Sequence, residues 1–344
     1  MKALVWTGNN LELADCNEPL IIKCNDVKVK IKAAGICGTD LNIIKRKIEW
    51  PSNRIIGHEA VGIVVETGPD VSEFVPGDRV IIDPTQYCGK CFNCRKGLTN
   101  FCKYFDSYEV GRAVNGVFTE YYVGEDRFLY KIPELMDWET AILAEPLACV
   151  LHYIEEADVR LDDNVLILGG GPIGILCAFI TNQIARLTTI TEVSNYRINY
   201  LKKQFTHVYK PFELTDEKIA ELTYSKKFNV VIDTIGNQLK HAFPLVSKGG
   251  KIVVMGLDPE YSYDLKPFSL LSNGISIVTF GEYHNYMEKA IVNLEKNIPF
   301  SSMVTNSFPL ESYKDAFNSI LGVNFDSGEK EEIRSNKTIL TPNY

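Results

Sequence analysis

At 344 residues the chain is long for one hydrophobic core and suits two domains. Its 45% hydrophobic and 23% charged residues are ordinary for a globular protein, and a formal net charge of -8 excludes a surface built for non-specific nucleic-acid contact. The longest nearly apolar run, residues 165–180, is interrupted by Gly169, Gly170, Gly171, Pro172 and Gly174 and is short for a membrane span; the opening Met1-Lys2-Ala3-Leu4-Val5 reads as a strand rather than a secretory signal. The expectation is a soluble, cytoplasmic protein with no membrane or nucleic-acid partner.

The first predicted strand alternates Val27, Val29 and Ile31 with Lys28, Lys30 and Lys32, the pattern of a strand buried on one face. Short strands are predicted over residues 60–66 and 79–82, the second opened by a Pro76-Gly77-Asp78 turn. This is a β-rich domain. The pattern changes near residue 145, where Leu147, Val150, Leu151 and Ile154 have helical spacing. Strands over 165–168, 188–192, 229–233 and 251–255 then alternate with helices from Pro172 and over 196–204, which implies a parallel sheet flanked by helices. An amphipathic helix around Met287, Ile291 and Leu294, a polar loop over 322–335 and a last strand over 337–340 complete the chain.

Cys88, Cys91, Cys94 and Cys102 form a C-x2-C-x2-C-x7-C run. Four thiolates so spaced can surround one tetrahedral Zn²⁺ in a closed structural site, while disulfides between such near neighbours would be strained. Of the remaining cysteines, Cys149 and Cys177 lie in apolar surroundings and read as small buried hydrophobes.

Gly169-Gly170-Gly171-Pro172-Ile173-Gly174 satisfies G-x-G-x-x-G after a predicted strand and at a predicted helix start, the context a dinucleotide fingerprint needs. Gly169 permits the tight turn, Gly171 lets a pyrophosphate approach the backbone, and Gly174 allows close helix packing. Glu192 ends the next strand, where a carboxylate accepts hydrogen bonds from an adenosine ribose and repels a 2′-phosphate, so NAD is expected over NADP. Arg197 could reach a 2′-phosphate or pack along the adenine.

The reactive residues are read from Cys37-Gly38-Thr39-Asp40, Gly57-His58-Glu59 and Glu145-Pro146-Leu147. One sulfur, one imidazole nitrogen and a carboxylate oxygen from Glu59 or Glu145 make a mixed donor set typical of catalytic zinc. One thiolate and one carboxylate neutralise the ion; Glu59 and Glu145 are expected to share it.

These motifs, with Ala34-Gly35-Ile36 before Cys37, Gly77-Asp78-Arg79-Val80 and Ala148 after Leu147, resemble the zinc-dependent medium-chain dehydrogenases, in particular the sorbitol and threonine dehydrogenase branch. The resemblance runs nearly end to end. It implies an α/β protein with a GroES-like, β-rich catalytic domain of residues 1–149 and 286–344 carrying both zinc sites, and a Rossmann domain with a doubly wound parallel sheet over 150–285. It also implies two zinc ions per chain, with Cys37, His58, Glu59 and Glu145 as catalytic zinc ligands. Gly169, Gly171, Ile173, Gly174, Glu192 and Arg197 become NAD contacts, and the assembly is a homodimer or homotetramer.

Departures from the family pattern bear on mechanism. Relatives often carry a proton-relaying histidine five residues after the zinc cysteine; here Asn42 stands there and cannot titrate. Thr39 becomes the expected first proton acceptor, acting as a conduit. In a late segment that the resemblance places beside the substrate, Glu282-Tyr283 stands where sorbitol dehydrogenases tend to have Arg-Tyr. The expected reaction is hydride transfer between NAD and a secondary alcohol of a polyol, cyclitol or amino-polyol. Alternatives are a polyol phosphate, for which Lys45-Arg46-Lys47 would be the anchor, and an L-threonine-type amino alcohol. A non-catalytic dehydrogenase-fold protein would have no need of the ligand set, and a zinc-finger nucleic-acid module would not explain the glycine fingerprint.

Overall fold

Period-two patterning in the first half of the chain resolves into eight strands: β1 (Lys2–Trp6), β2 (Leu11–Asp15), β3 (Asp26–Gly35), β4 (Arg54–Ile55), β5 (Glu59–Thr67), β6 (Arg79–Ile82), β7 (Tyr121–Glu125) and β8 (Leu129–Lys131). The computed structural model describes residues 1–343. Two units separate, Met1–Ala148 with the segment from Glu282 onward, and Cys149–Gly281, cutting near the expected 149/150 and 285/286 divisions.

In the second unit follow β9 (Asn164–Leu168), β10 (Leu187–Thr191), β11 (Val208–Tyr209), β12 (Phe228–Asp233), β13 (Val246–Val254) and β14 (Ser276–Val278). They form one parallel sheet in the order β11-β10-β9-β12-β13-β14. Every residue of β9 and β10 is buried, as strands covered by helices on both faces must be. Leu166, Val231 and Ile252 lie in its core. The chain order reverses beside β9, the place where such sheets bind nucleotides.

The last two strands, β15 (Val304–Pro309) and β16 (Lys337–Thr341), return to the first unit. There they extend a seven-stranded sheet, β15-β16-β3-β5-β6-β8, with β7 also paired to β3. Val29, Ile31, Ala60, Ile82, Phe118, Phe317 and Leu340 share its core. β1, β2 and β4 form a separate three-stranded sheet.

Two expectations need correction. The lysine face of β3 is only partly open to solvent: Lys30 and Lys32 are half-buried, and Lys28 is 7% exposed because Glu18, 2.6 Å from its Nζ, and the Tyr121 ring cover it. Cys149 is only half-buried, whereas Cys177 is fully buried. Among the described residues no helix is long and apolar enough to cross a membrane.

Candidate active site, structural metal site and nucleotide turn

Three strands of the first unit converge on the reactive residues. Ile339 of β16 pairs with Gly35 of β3, and Gly35 pairs with Glu59, the first residue of β5. Cys37 follows β3 and begins the helix Gly38–Ile44; its backbone N–H donates to Asp40 Oδ2 at 2.9 Å, closing the helix start. Gly57 at φ +88° turns the chain so that His58 precedes β5.

The donor atoms of Cys37, His58 and Glu59 lie within 4.8 Å of one another. Glu145, in the first turn of the helix Ala144–Glu156, is not in that triad; its carboxylate oxygen lies within 4.8 Å of one from Glu282. Thr39 Oγ1 is 3.8 Å from Cys37 Sγ. Lys337 of β16 forms a fully buried ion pair with Glu59 Oε2.

Electrostatics bind these groups into one field. Burial alone would lower the histidine pKa, but the Cys37 sulfur, Asp40 and Glu145 outweigh it and hold His58 well above the usual range. Burial pushes Asp40 up to about 6 against the opposing pull of His58. It pushes Glu145 up to about 8, with Glu59 and Glu282 adding to the shift. No lysine or arginine pairs with Glu145 or Glu282 among the described residues, and Glu145 is 5% exposed. Buried carboxylates without a cationic side chain, beside a sulfur and an imidazole, fit a divalent cation of intermediate softness.

The cysteine run supplies a second donor set. Gly89 and Gly97 adopt φ of +72° and +81°, folding the loop around its short helix Phe92–Arg95. Cys91 and Cys94 sulfurs are 3.4 Å apart, and Cys88 and Cys94 sulfurs 4.0 Å. Zn–S bonds of about 2.3 Å in a tetrahedron put sulfurs about 3.8 Å apart, between those values. Backbone N–H groups of Cys91, Lys103 and Tyr104 point at the sulfurs of Cys88, Cys91 and Cys102 from 3.4 to 3.5 Å, as thiolates require. Backbone hydrogen bonds from Cys94 and Lys103 bring the Cys91 thiol down to about 6.

In the second unit Gly169 has φ +101°, and a Cβ on Gly174 would stand 2.0 Å from the Gly169 carbonyl oxygen, so this helix start needs glycine at both positions. Pro172 occupies the first turn of the helix Pro172–Ile184 and Ile173 is half-buried beside it. Glu192 is buried, and its carboxylate is more occupied than expected: Gly170 N–H donates to Oε2 at 2.9 Å, and Val193 and Ser194 N–H donate to Oε1 at 2.6 and 2.8 Å. Arg197 Nη1 lies 3.9 Å from Glu192 Oε2 and alongside Gly171.

The late segment splits. Glu282 is held by its carbonyl, which accepts from Asn100 Nδ2 at 2.8 Å, and burial raises its carboxyl pKa against the pull of His58. Tyr283 departs from the expected substrate contact: it is 1% exposed and its hydroxyl donates to Asp83 Oδ1 at 2.8 Å, which makes it a core residue. Arg46 sits at φ +56° in an exposed turn and donates to the Asn9 carbonyl. Sequence reasoning missed Lys337, Glu109 and Asn100. Lys337 lies 278 positions from Glu59, and no local motif could join them. Glu109 lies close enough to His58 and Glu282 to shift with them, and is itself paired with Arg112 at 3.3 Å.

Residues 23–134 match the alcohol dehydrogenase GroES-like domain, and residues 172–296 match the zinc-binding dehydrogenase domain. L-threonine 3-dehydrogenase of Coxiella burnetii is 32% identical over 316 residues, covering 86% of this chain and 89% of that one. The chain belongs to the zinc-dependent medium-chain dehydrogenases. Sorbitol dehydrogenase of Bacillus subtilis is 30% identical, with 86% of each chain covered. An alcohol dehydrogenase structure from Escherichia coli CFT073, complexed with NADH, superposes with TM-score 0.86 at 26% identity over 99% of both chains. For this zinc-dependent dehydrogenase the expected architecture, GroES-like plus Rossmann, is the one observed.

Proposed function

We propose that this enzyme transfers hydride between NAD and a secondary alcohol of a polyol, cyclitol or amino-polyol, with Cys37, His58, Glu59 and Glu145 serving a catalytic zinc and Cys88, Cys91, Cys94 and Cys102 a structural one. The observation that carries this is the Cys37–His58–Glu59 donor triad, with Glu59 buried and Cys37 and His58 half-buried, beside the carboxylates Glu145 and Glu282, which no lysine or arginine pairs among the described residues. Zinc, when bound, supplies Lewis acidity that lowers the pKa of an alcohol oxygen, and NAD supplies the hydride acceptor. Thr39, at 3.8 Å from the Cys37 sulfur, is the hydroxyl through which the alcohol proton leaves; it relays rather than keeps it. Asp40 orients Cys37 through its backbone N–H.

Gly169, Gly171, Ile173 and Gly174 would receive the pyrophosphate on the helix start. Glu192, pinned by three backbone N–H groups, cannot swing away from a 2′-phosphate, which favours NAD, and Arg197 is engaged with that same carboxylate. Glu282 favours substrates bearing an ammonium, with plain polyols second and polyol phosphates third. Lys45, exposed beside the Arg46 turn, is a weak phosphate anchor.

Nine free cysteines among the described residues accord with a reducing, cytoplasmic location. Exposed Phe268 and Leu271, in the helix Pro267–Asn273 that precedes the edge strand β14 in the chain, accord with a homodimer or homotetramer. The test is NADH formation across amino-polyols, plain polyols and polyol phosphates. Strongest turnover on a phosphorylated polyol, or on none of the three classes, would overturn the substrate reading.

A further inference from the structure

Lys337 is a charged residue on β16 whose side chain is only 1% exposed. An ammonium taken from water is costly unless specific partners meet it. Two do. Its Nζ donates to the carbonyl of Ile36, the residue before Cys37, at 3.0 Å, and forms the ion pair with Glu59 Oε2. The second contact lacks hydrogen-bond geometry, so it acts as a charge placed on the oxygen. Gly35 lies between: a Cβ there would stand 3.1 Å from Lys337 Cε and 2.1 Å from Glu59 Oε2. The lysine therefore reaches the carboxylate across a strand that has no side chain at that point.

Anchoring β16 does not need this charge. Backbone pairing to β3 and β15 and the buried Ile339 and Leu340 already hold the strand, and an apolar residue would fill position 337 without a desolvation cost. What the ammonium adds is a positive charge on one oxygen of a carboxylate that belongs to the donor triad. We propose that Lys337 is a positioning residue for the zinc centre: it holds Glu59 by Oε2 and neutralises its charge, so that Glu59 competes only weakly for an ion bound by Cys37 and His58. This rests on the metal-centre reading given above. Without Lys337 a full negative charge faces the ion, the ion is held more tightly, and its Lewis acidity falls.

The test reads zinc release to a chromogenic chelator from the parent, Cys37→Ala, Lys337→Met, Lys337→Arg, Glu59→Gln and the double variant Glu59→Gln/Lys337→Met. Cys37→Ala identifies the release amplitude belonging to this site. Lys337→Met should slow that release by about tenfold or more, the scale set by one charge a few Å away at an effective dielectric of about 20. Lys337→Arg should restore the parental rate. In the Glu59→Gln background, Lys337→Met should change release by less than about twofold, since the carboxylate through which it acts is gone. Release from Lys337→Met at the parental rate or faster overturns the proposal, as does a tenfold effect that persists without Glu59. Should Lys337→Met alone fail to fold, the neutral Glu59→Gln pair decides: equal rates support the proposal and a tenfold difference overturns it. If Cys37→Ala instead holds as much zinc as the parent, the metal-centre reading has failed rather than the role of Lys337.

Discussion

Glu192 Oε2 accepts a hydrogen bond from the backbone N–H of Gly170 at 2.9 Å, so the acid proposed to meet the adenosine ribose is tied to the glycine turn proposed to receive the pyrophosphate. Two further N–H groups on Oε1 leave the carboxylate little freedom.

Glu192→Gln keeps an acceptor but removes the charge. It should narrow the ratio of kcat/KM for NAD⁺ over NADP⁺ by about tenfold, equivalent to about 1.4 kcal/mol. Steady-state kinetics with both cofactors check this. A parent enzyme equally efficient with NADP⁺ would refute the assignment and direct attention to Arg197.

Gly35→Ala places a methyl group 2.1 Å from Glu59 Oε2. Overpacking of this kind costs about 1–3 kcal/mol, and here the displaced atom belongs to the donor triad. The expected outcome is a folded protein with reduced zinc content and much reduced turnover. Metal analysis beside thermal denaturation decides; parental zinc and activity would show that Glu59 is free to move.

The two donor sets should fail differently. Cys37→Ala or His58→Ala should abolish turnover in a folded protein. Cys91→Ala or Cys102→Ala should chiefly lower stability, since structural zinc contributes on the order of 10 kcal/mol in small zinc domains. Zinc analysis of the parent should give two ions per chain, and one or none in carefully handled protein would contradict the pair of sites.

Burial raises Asp83 from 3.8 to about 6. Well below pH 3.8 its carboxyl is protonated in folded and unfolded chains alike and carries no penalty. As pH rises through about 6 the unfolded chain has already released its proton, and the folded form must ionise a buried acid; about 3 kcal/mol of stability is lost across that window. Asn at this position keeps the acceptor oxygen used by Thr85 N–H and the Tyr283 hydroxyl. Denaturant titrations from pH 4 to 7 should therefore show Asp83→Asn gaining on the parent as pH rises, and parallel curves would contradict the shift.

Glu282→Gln should reduce preference for amine-bearing over plain alcohols by about tenfold, the scale of one desolvated charge contact. The comparison is kcat/KM on matched amino and hydroxy substrates. Unchanged selectivity would remove Glu282 from substrate recognition.

Much of this was legible in the sequence wherever chemistry is local. Cys88 to Cys102, the glycine turn at Gly169 and the Cys37 and His58 motifs depend on spacing within a few residues, and the structure brings their atoms together. The parallel sheet followed from alternation of strand and helix patterns, although β13 begins at Val246, before the expected residue 251. Contacts between distant strands left no such trace. Lys337 reads as an ordinary strand-start lysine, Tyr283 as a pocket aromatic, and Lys28 as a solvent-facing charge; Glu59 of β5, Asp83 just after β6 and Glu18 respectively decide otherwise.

The return of β16 to an interior place between β15 and β3 has a consequence for biosynthesis. The Rossmann unit is one continuous stretch and can close while the ribosome still holds the rest of the chain. The first unit cannot. Its sheet has an open edge at β3, and Glu59 lies without its ammonium, until roughly 190 more residues have followed the helix at Glu145. At about 5–20 residues per second that is a wait of about 10–40 s, during which an unfinished edge strand and a nascent cysteine cluster are open to chaperones, stray metals and other growing chains.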